Sequence, residues 1–283
     1  MQRKPWAARN TIWSSHASAV SGQPWLNTTG RPEPRAVLVI VHGFKAHGGL
    51  YEWAGGRFAE QGFAVYALDL RGHGVSEGDR LEVGKFGDYT DDVHTLVKLA
   101  KARNPGLQVF LFGHSAGGVI SSIYALEHQD ELAGFICESF AHEVPAPDFV
   151  LAVLKGLSHI TPHAHVLKLE DEGFSRDPAV VEAMKNDPLV ERKGYPAYTV
   201  AEMVRADERL KREFSLITLP VLILHGTEDR VTLARGSQRF YDHAGSKDKT
   251  LKLYEGHYHD LLADYGKEGV LADIVAWIDA RIR

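Results

Sequence analysis

Short apolar or β-branched runs alternate along this chain with stretches of helical periodicity, and that alternation constrains the fold more than any other feature. The runs 37–41, 64–68, 109–112, 134–137, 221–224 and 251–254 read as strands. Most are apolar nearly throughout, which predicts burial on both faces of a largely parallel sheet. Between them, 86–103 places Tyr89, Val93, Leu96, Val97 and Ala100 at helical spacing, and Pro105 with Gly106 ends that helix. The stretches 117–128 and 266–282 read the same way, whereas the mixed segment 12–25 suggests a lead-in antiparallel hairpin. The fold class expected is α/β, a mostly parallel central sheet flanked by helices.

The alternation fails between Ser139 and Phe214. Pro145, Pro147, Pro162, Pro178, Pro188 and Pro196 break this stretch into short helical pieces. It reads as an insertion, so the expected domains are a core of 1–138 and 215–283 and a helical cap of 139–214. Within it, 147–157 is the most apolar piece. It is either a helix buried under its neighbours or a lid that lines an apolar channel and touches a lipid surface.

Composition removes several function classes. The chain has 283 residues with 32 Lys and Arg against 37 Asp and Glu, a net charge of −5, and so lacks the global basic charge of a nucleic-acid partner. The single cysteine, Cys137, offers neither an intramolecular disulfide nor a cysteine metal cluster. No purely apolar run exceeds the six residues 36–41, against about 20 for a membrane span. Residues 1–21 carry Asn10, Thr11, Ser14, Ser15 and His16 where a signal peptide has its apolar core, and the expected compartment is the cytoplasm.

Two segments match G-x-S-x-G, the pattern of a nucleophile elbow. In Gly113-His114-Ser115-Ala116-Gly117 the serine follows a strand and opens a helix, the context an elbow requires. In Gly74-Val75-Ser76-Glu77-Gly78 it sits among turn residues. Ser115 is therefore the candidate nucleophile, and no lysine follows as a phosphate loop requires. A serine hydroxyl needs a base and a group that orients the base, and in an elbow fold the acid precedes the histidine along the chain. Two later strands run into His225-Gly226-Thr227-Glu228-Asp229 and Glu255-Gly256-His257-Tyr258-His259-Asp260. Asp229 competes with Glu228 and with Glu138 for the acid, and His259 with His257 for the base. The pair His163 and His165 reads as solvated and not metal-binding.

Together these blocks resemble the α/β-hydrolases of the monoacylglycerol lipase and bacterial lysophospholipase type. The resemblance rests on His42-Gly43-Phe44, on Asp69 to Gly78, on Gly113 to Gly118, on His225 to Val231 and on Tyr254 to His259. It implies an α/β-hydrolase fold with a helical cap, and a triad of Ser115, Asp229 and His259. It further implies an oxyanion hole from the backbone N–H groups of Phe44 and Ala116, and a structural role for Ser76. The activity implied is hydrolysis of carboxylic esters with an apolar acyl chain, with no metal or organic cofactor; the apolar piece 147–157 adds the expectation of transient lipid contact through the cap. An aminopeptidase, a C–C hydrolase or a non-catalytic ligand-binding homologue are the alternatives on the same scaffold.

Overall fold

The computed structural model describes residues 10–13, 33–145, 153, 155–156 and 158–283, the first four by backbone course alone. Seven strands form one sheet: β1 (Asn10–Trp13), β2 (Ala36–Val41), β3 (Phe63–Leu68), β4 (Val109–His114), β5 (Gly134–Glu138), β8 (Val221–Gly226) and β9 (Lys249–Tyr254), ordered β1-β3-β2-β4-β5-β8-β9. Every pairing is parallel except that of β1, which runs antiparallel to β3 at the edge. The expected lead-in hairpin is thus represented by a strand that pairs with β3, and residues 14–25 lie outside the described residues.

Alternation along each strand sends side chains to two apolar layers. Val37, Val39 and Val41 join the layer made by α2 (Gly87–Arg103), α3 (Ala116–His128) and α6 (Ala234–His243). Leu38 and Ile40 point the other way, to α1 (Glu52–Glu60) and α7 (Lys267–Asp279). Helices cover both faces, so the inner strands are buried throughout, as their apolar runs predict. The outermost strand β9 corrects that expectation, because its residues alternate between half-buried and exposed as an edge strand's do.

Between β5 and β8 the chain leaves the sheet. Its described part holds a two-stranded ribbon of β6 (His165–Leu167) and β7 (Tyr195–Pro196), the helix α4 (Pro178–Asn186), and α5 (Ala197–Glu213). Here the expectation of short helical pieces fails, because α5 is 17 residues long and buries Val200, Ala201, Ala206 and Leu210. The apolar piece 147–157 lies outside the described residues apart from Val153, Lys155 and Gly156.

The chain adds β3 on one side of β2 and β4 on the other, so the sheet order reverses there. Crevices at such a reversal, at the carboxyl ends of the strands, are where open α/β sheets collect ligands. Phe44 follows β2 and Ser115 follows β4, which places both at that crevice.

Candidate active site

Ser115 stands between β4 and α3 with φ +56° and ψ −120°, a region that a residue with a side chain enters only when its surroundings force it. The glycines around it remove the obstacles. A Cβ on Gly117 would lie 2.3 Å from the Val41 carbonyl oxygen, and one on Gly43 would lie 2.8 Å from the Ser115 Cβ. The Ser115 N–H donates to the Glu138 carbonyl at 2.8 Å, tying the elbow to the end of β5. Ser76 occupies a different setting. It is buried and donates to the Asp69 carbonyl at 2.6 Å, while the Asp69 carboxylate accepts the N–H groups of Gly48 and Val75. The second serine motif is a turn built around Asp69.

Asp229 and His259 meet across the ends of β8 and β9. The His259 Nδ1–H donates to Asp229 Oδ2 at 2.8 Å, and both side chains are withdrawn from solvent. Glu228 is exposed beside it. Asp229 also accepts the N–H groups of Val231 and Thr232 and the Thr232 hydroxyl. A second imidazole, His225, places Nε2 3.0 Å from Asp229 Oδ2, a partner that only accepts, and its Nδ1 lies 2.7 Å from the Ser237 hydroxyl. Burial alone would raise the Asp229 carboxyl. The charge of His259 and the hydrogen bonds from both histidines outweigh it, holding the group well below the usual carboxylate range. Asp229 is thus a fixed anion behind His259.

The other candidates are elsewhere. The His257 ring packs on Tyr254 and beside Gly266, with Nδ1 unpartnered. Glu138 is fully buried and takes the Leu262 N–H at 3.2 Å, so it braces the loop that carries His259 without bonding to its ring. Burial and the neighbouring Asp260 push the Glu138 carboxyl well up. The His259 carbonyl is pinned by Ser139 Oγ and by His114 Nε2. His163 is exposed and pairs with Glu82, while His165 bonds to the Gly194 carbonyl.

What remains open at this crevice is informative. His259 Nε2 is buried and has no hydrogen-bond partner. Its ring lies 4.8 Å from that of His114, the residue before Ser115. Among the described residues the N–H groups of Phe44 and Ala116 also make no hydrogen bond to the protein. The Phe44 loop is anchored from behind by His42, whose Nδ1–H donates to the Gly43 carbonyl at 2.7 Å and whose Nε2 accepts the Leu70 N–H at 3.1 Å. Burial lowers the His42 pKa to about 3, keeping the ring neutral for both roles. A basic nitrogen, an elbow hydroxyl and unpaired amides at one strand-end crevice are the components of nucleophilic acyl transfer.

Sequence reasoning named Ser115, Asp229, His259, Phe44 and Ala116 but missed a further set. His225 lies near the end of β8, and Thr232 three residues after Asp229. Asp171, Phe174 and Tyr195 reach the Phe44 loop and His259 from the excursion, the first and last of them through Lys45. Only His225 sat within a recognised block; Thr232 lies just beyond it, and Lys45, Asp171, Phe174 and Tyr195 come together through contacts between segments far apart in the chain.

Comparison with known proteins agrees with this architecture. The family described as "Serine aminopeptidase, S33" matches residues 32–266. A monoacylglycerol lipase of Mycolicibacterium smegmatis is 34% identical over 249 residues, 87% of this chain and 89% of its own. The monoglyceride lipase of Homo sapiens is 32% identical over 253 residues, 88% of this chain and 84% of its own. The crystal structure of Paleococcus ferrophilus monoacylglycerol lipase superposes with a TM-score of 0.82 at 29% identity, covering 97% of this chain and 99% of that one. The crevice and its strand order are therefore those of a shared α/β-hydrolase scaffold, and the chain belongs to the S33 serine aminopeptidase family alongside these monoacylglycerol lipases.

Proposed function

We propose that Ser115 is the nucleophile of a serine hydrolase that cleaves carboxylic esters with an apolar acyl group, of the monoacylglycerol or lysophospholipid kind. The chain is a carboxylic ester hydrolase. The observation that carries the reading is the Asp229–His259 hydrogen bond, which leaves a buried, unpartnered Nε2 beside the elbow. Ser115 Oγ attacks the ester carbonyl while His259 Nε2 takes its proton, and Asp229 stabilises the imidazolium. The carbonyl oxygen gains negative charge, and the Phe44 and Ala116 N–H groups receive it, donors worth about 10² to 10³ in rate each. His259 then protonates the departing alcohol, and a water molecule repeats the sequence to release the acid. Every proton is held on a side chain of this triad, so the cycle calls on no metal or organic cofactor.

Residues 139–214 serve as the cap, and 147–157 is its lipid-facing piece. Activity on a long-chain ester then rises above the critical micelle concentration, and Leu154→Asp blunts that rise while sparing short soluble esters. An unchanged profile removes the lipid contact from the account. Among the described residues no helix is long and apolar enough to cross a membrane. The lone Cys137, buried in β5, suits a reducing cytoplasm.

The family description raises amide cleavage as the competing activity, and the two separate on substrate panels. Turnover of p-nitrophenyl esters from acetyl to palmitoyl, without turnover of aminoacyl anilides, supports the ester reading, and the reverse overturns it. On the same panel His259→Ala abolishes turnover and His257→Ala leaves most of it.

A further inference from the structure

Residues 169–174 of the excursion touch both halves of the site. At one end lies Lys45, the residue after Phe44. Its side chain is buried, and Nζ donates to the Leu169 carbonyl at 2.7 Å and pairs with Asp171. Asp171 takes Arg192 at 3.3 Å on its other oxygen. The Lys45 N–H donates to the Tyr195 hydroxyl, and the Tyr195 ring stacks on Phe44 with centroids 3.8 Å apart. At the other end the Phe174 ring stands edge-on to His259 at 5.2 Å, and the Phe174 carbonyl accepts the Asp260 N–H at 2.8 Å.

Stability does not account for this arrangement. A buried ion pair recovers little more than its desolvation cost, and apolar residues of the same size commonly serve a core as well or better. Lys45 moreover sits at φ +67°, a conformation that glycine adopts freely and that a side chain makes unfavourable. A long charged residue at that position is explained by what it grips. The Phe44 side chain is held by the Tyr195 ring and, one residue on, Lys45 makes two hydrogen bonds and an ion pair to the excursion. Such bracing from behind is what keeps an oxyanion donor aimed in a reacting site.

We propose that Lys45 is a positioning residue: with Asp171 it straps the Phe44 loop to residues 169–174, so that the oxyanion donor and His259 are aligned by the same docked segment. This rests on the reading of Phe44 as an oxyanion donor. The strap makes the excursion part of the catalytic frame and not only a cover over substrate.

The test compares wild type, Lys45→Met, Lys45→Arg, Asp171→Asn and the Lys45→Met/Asp171→Asn double variant. Each is checked for folding by circular dichroism and thermal melting. The readouts are kcat and KM on a short soluble p-nitrophenyl ester and the inhibition constant of a trifluoromethyl ketone, which forms a tetrahedral adduct. Lys45→Met and Asp171→Asn are expected to lower kcat by about tenfold or more, with KM within about twofold and ketone affinity weakened in proportion. Lys45→Arg restores most of the loss, and the double variant is no worse than the worse single one. Wild-type kcat and ketone affinity in folded Asp171→Asn overturn the strap, as does a lower melting temperature with unchanged kcat. A wild type that turns over no ester and resists fluorophosphonate overturns the hydrolase reading itself, a separate outcome visible in the control lane.

Discussion

At the residue scale, Ser115 shows how local covalent geometry makes a strained strand-to-helix turn readable. An elbow needs glycine wherever the strained turn crowds its neighbours, and the pattern around Ser115 carries those glycines while the same pattern around Ser76 lacks the flanking strand. Gly117→Ala would drive a methyl group to 2.3 Å from the Val41 carbonyl oxygen, so that backbone must shift. A loss of about 3 kcal/mol in urea unfolding is expected, and an unfolding midpoint matching wild type would contradict it. The choice between Glu228 and Asp229, or between His257 and His259, was not readable. Adjacent residues of one loop differ only in which way they point, and that is set by Val231, Thr232 and His225 gathering around one carboxylate. Glu138 is a further case, a candidate acid that is buried and braces the Leu262 N–H instead of a histidine ring. A carboxyl whose pKa is raised by folding holds a proton that the unfolded chain gives up as pH rises through the ordinary carboxylate range. Folding stability is therefore lost with rising pH until the buried group itself ionises. Glu138→Gln keeps the neutral shape without that dependence. Its stability relative to wild type should climb with pH above about 4.5, by up to about 1.4 kcal/mol per unit. Urea midpoints of both proteins at pH 5 and pH 7 measure this, and a constant difference contradicts it.

At the element scale, the strands and the helices of the core were legible because burial on two faces leaves few residue choices. The departures lie where a neighbour is missing or distant. β9 has a sheet partner on one side alone, so its side chains alternate with solvent. The prolines before α5 dominate the segment and suggest fragments, yet Val200, Met203, Ala206 and Leu210 recur at helical spacing; the last three pack toward the layer of α2 and α3, and Val200 joins Phe44, Leu81, Ala116 and Tyr195. Leu210 is fully buried there. Leu210→Ala should cost about 2 to 5 kcal/mol of stability by chemical denaturation, whereas a loss under about 1 kcal/mol would show that α5 does not pack as described. The excursion's role around the site could not be read from its sequence. Its pairings, Lys45 with Asp171 and Tyr195 with Phe44, join segments far apart in the chain, and no periodicity records them.

At the scale of the whole molecule, the sheet reversal beside β2 brings together the loops after β2, β4, β8 and β9, and the excursion closes over them. The Lys45–Asp171 ion pair, the His47–Asp187 hydrogen bond and the Phe174 contact with His259 fasten that excursion to the core on the side of the crevice. Ser115, Asp229 and His259, widely separated in the chain, have their side chains buried there, and the proposed mechanism has the Ser115 hydroxyl give up its proton beside the Phe44 and Ala116 amides. The most direct test is to treat the intact, folded protein with a fluorophosphonate and map the adduct by peptide mass spectrometry. One adduct on Ser115, lost in His259→Ala, is the predicted result. A folded protein that resists the reagent, or carries it on Ser76, contradicts the account.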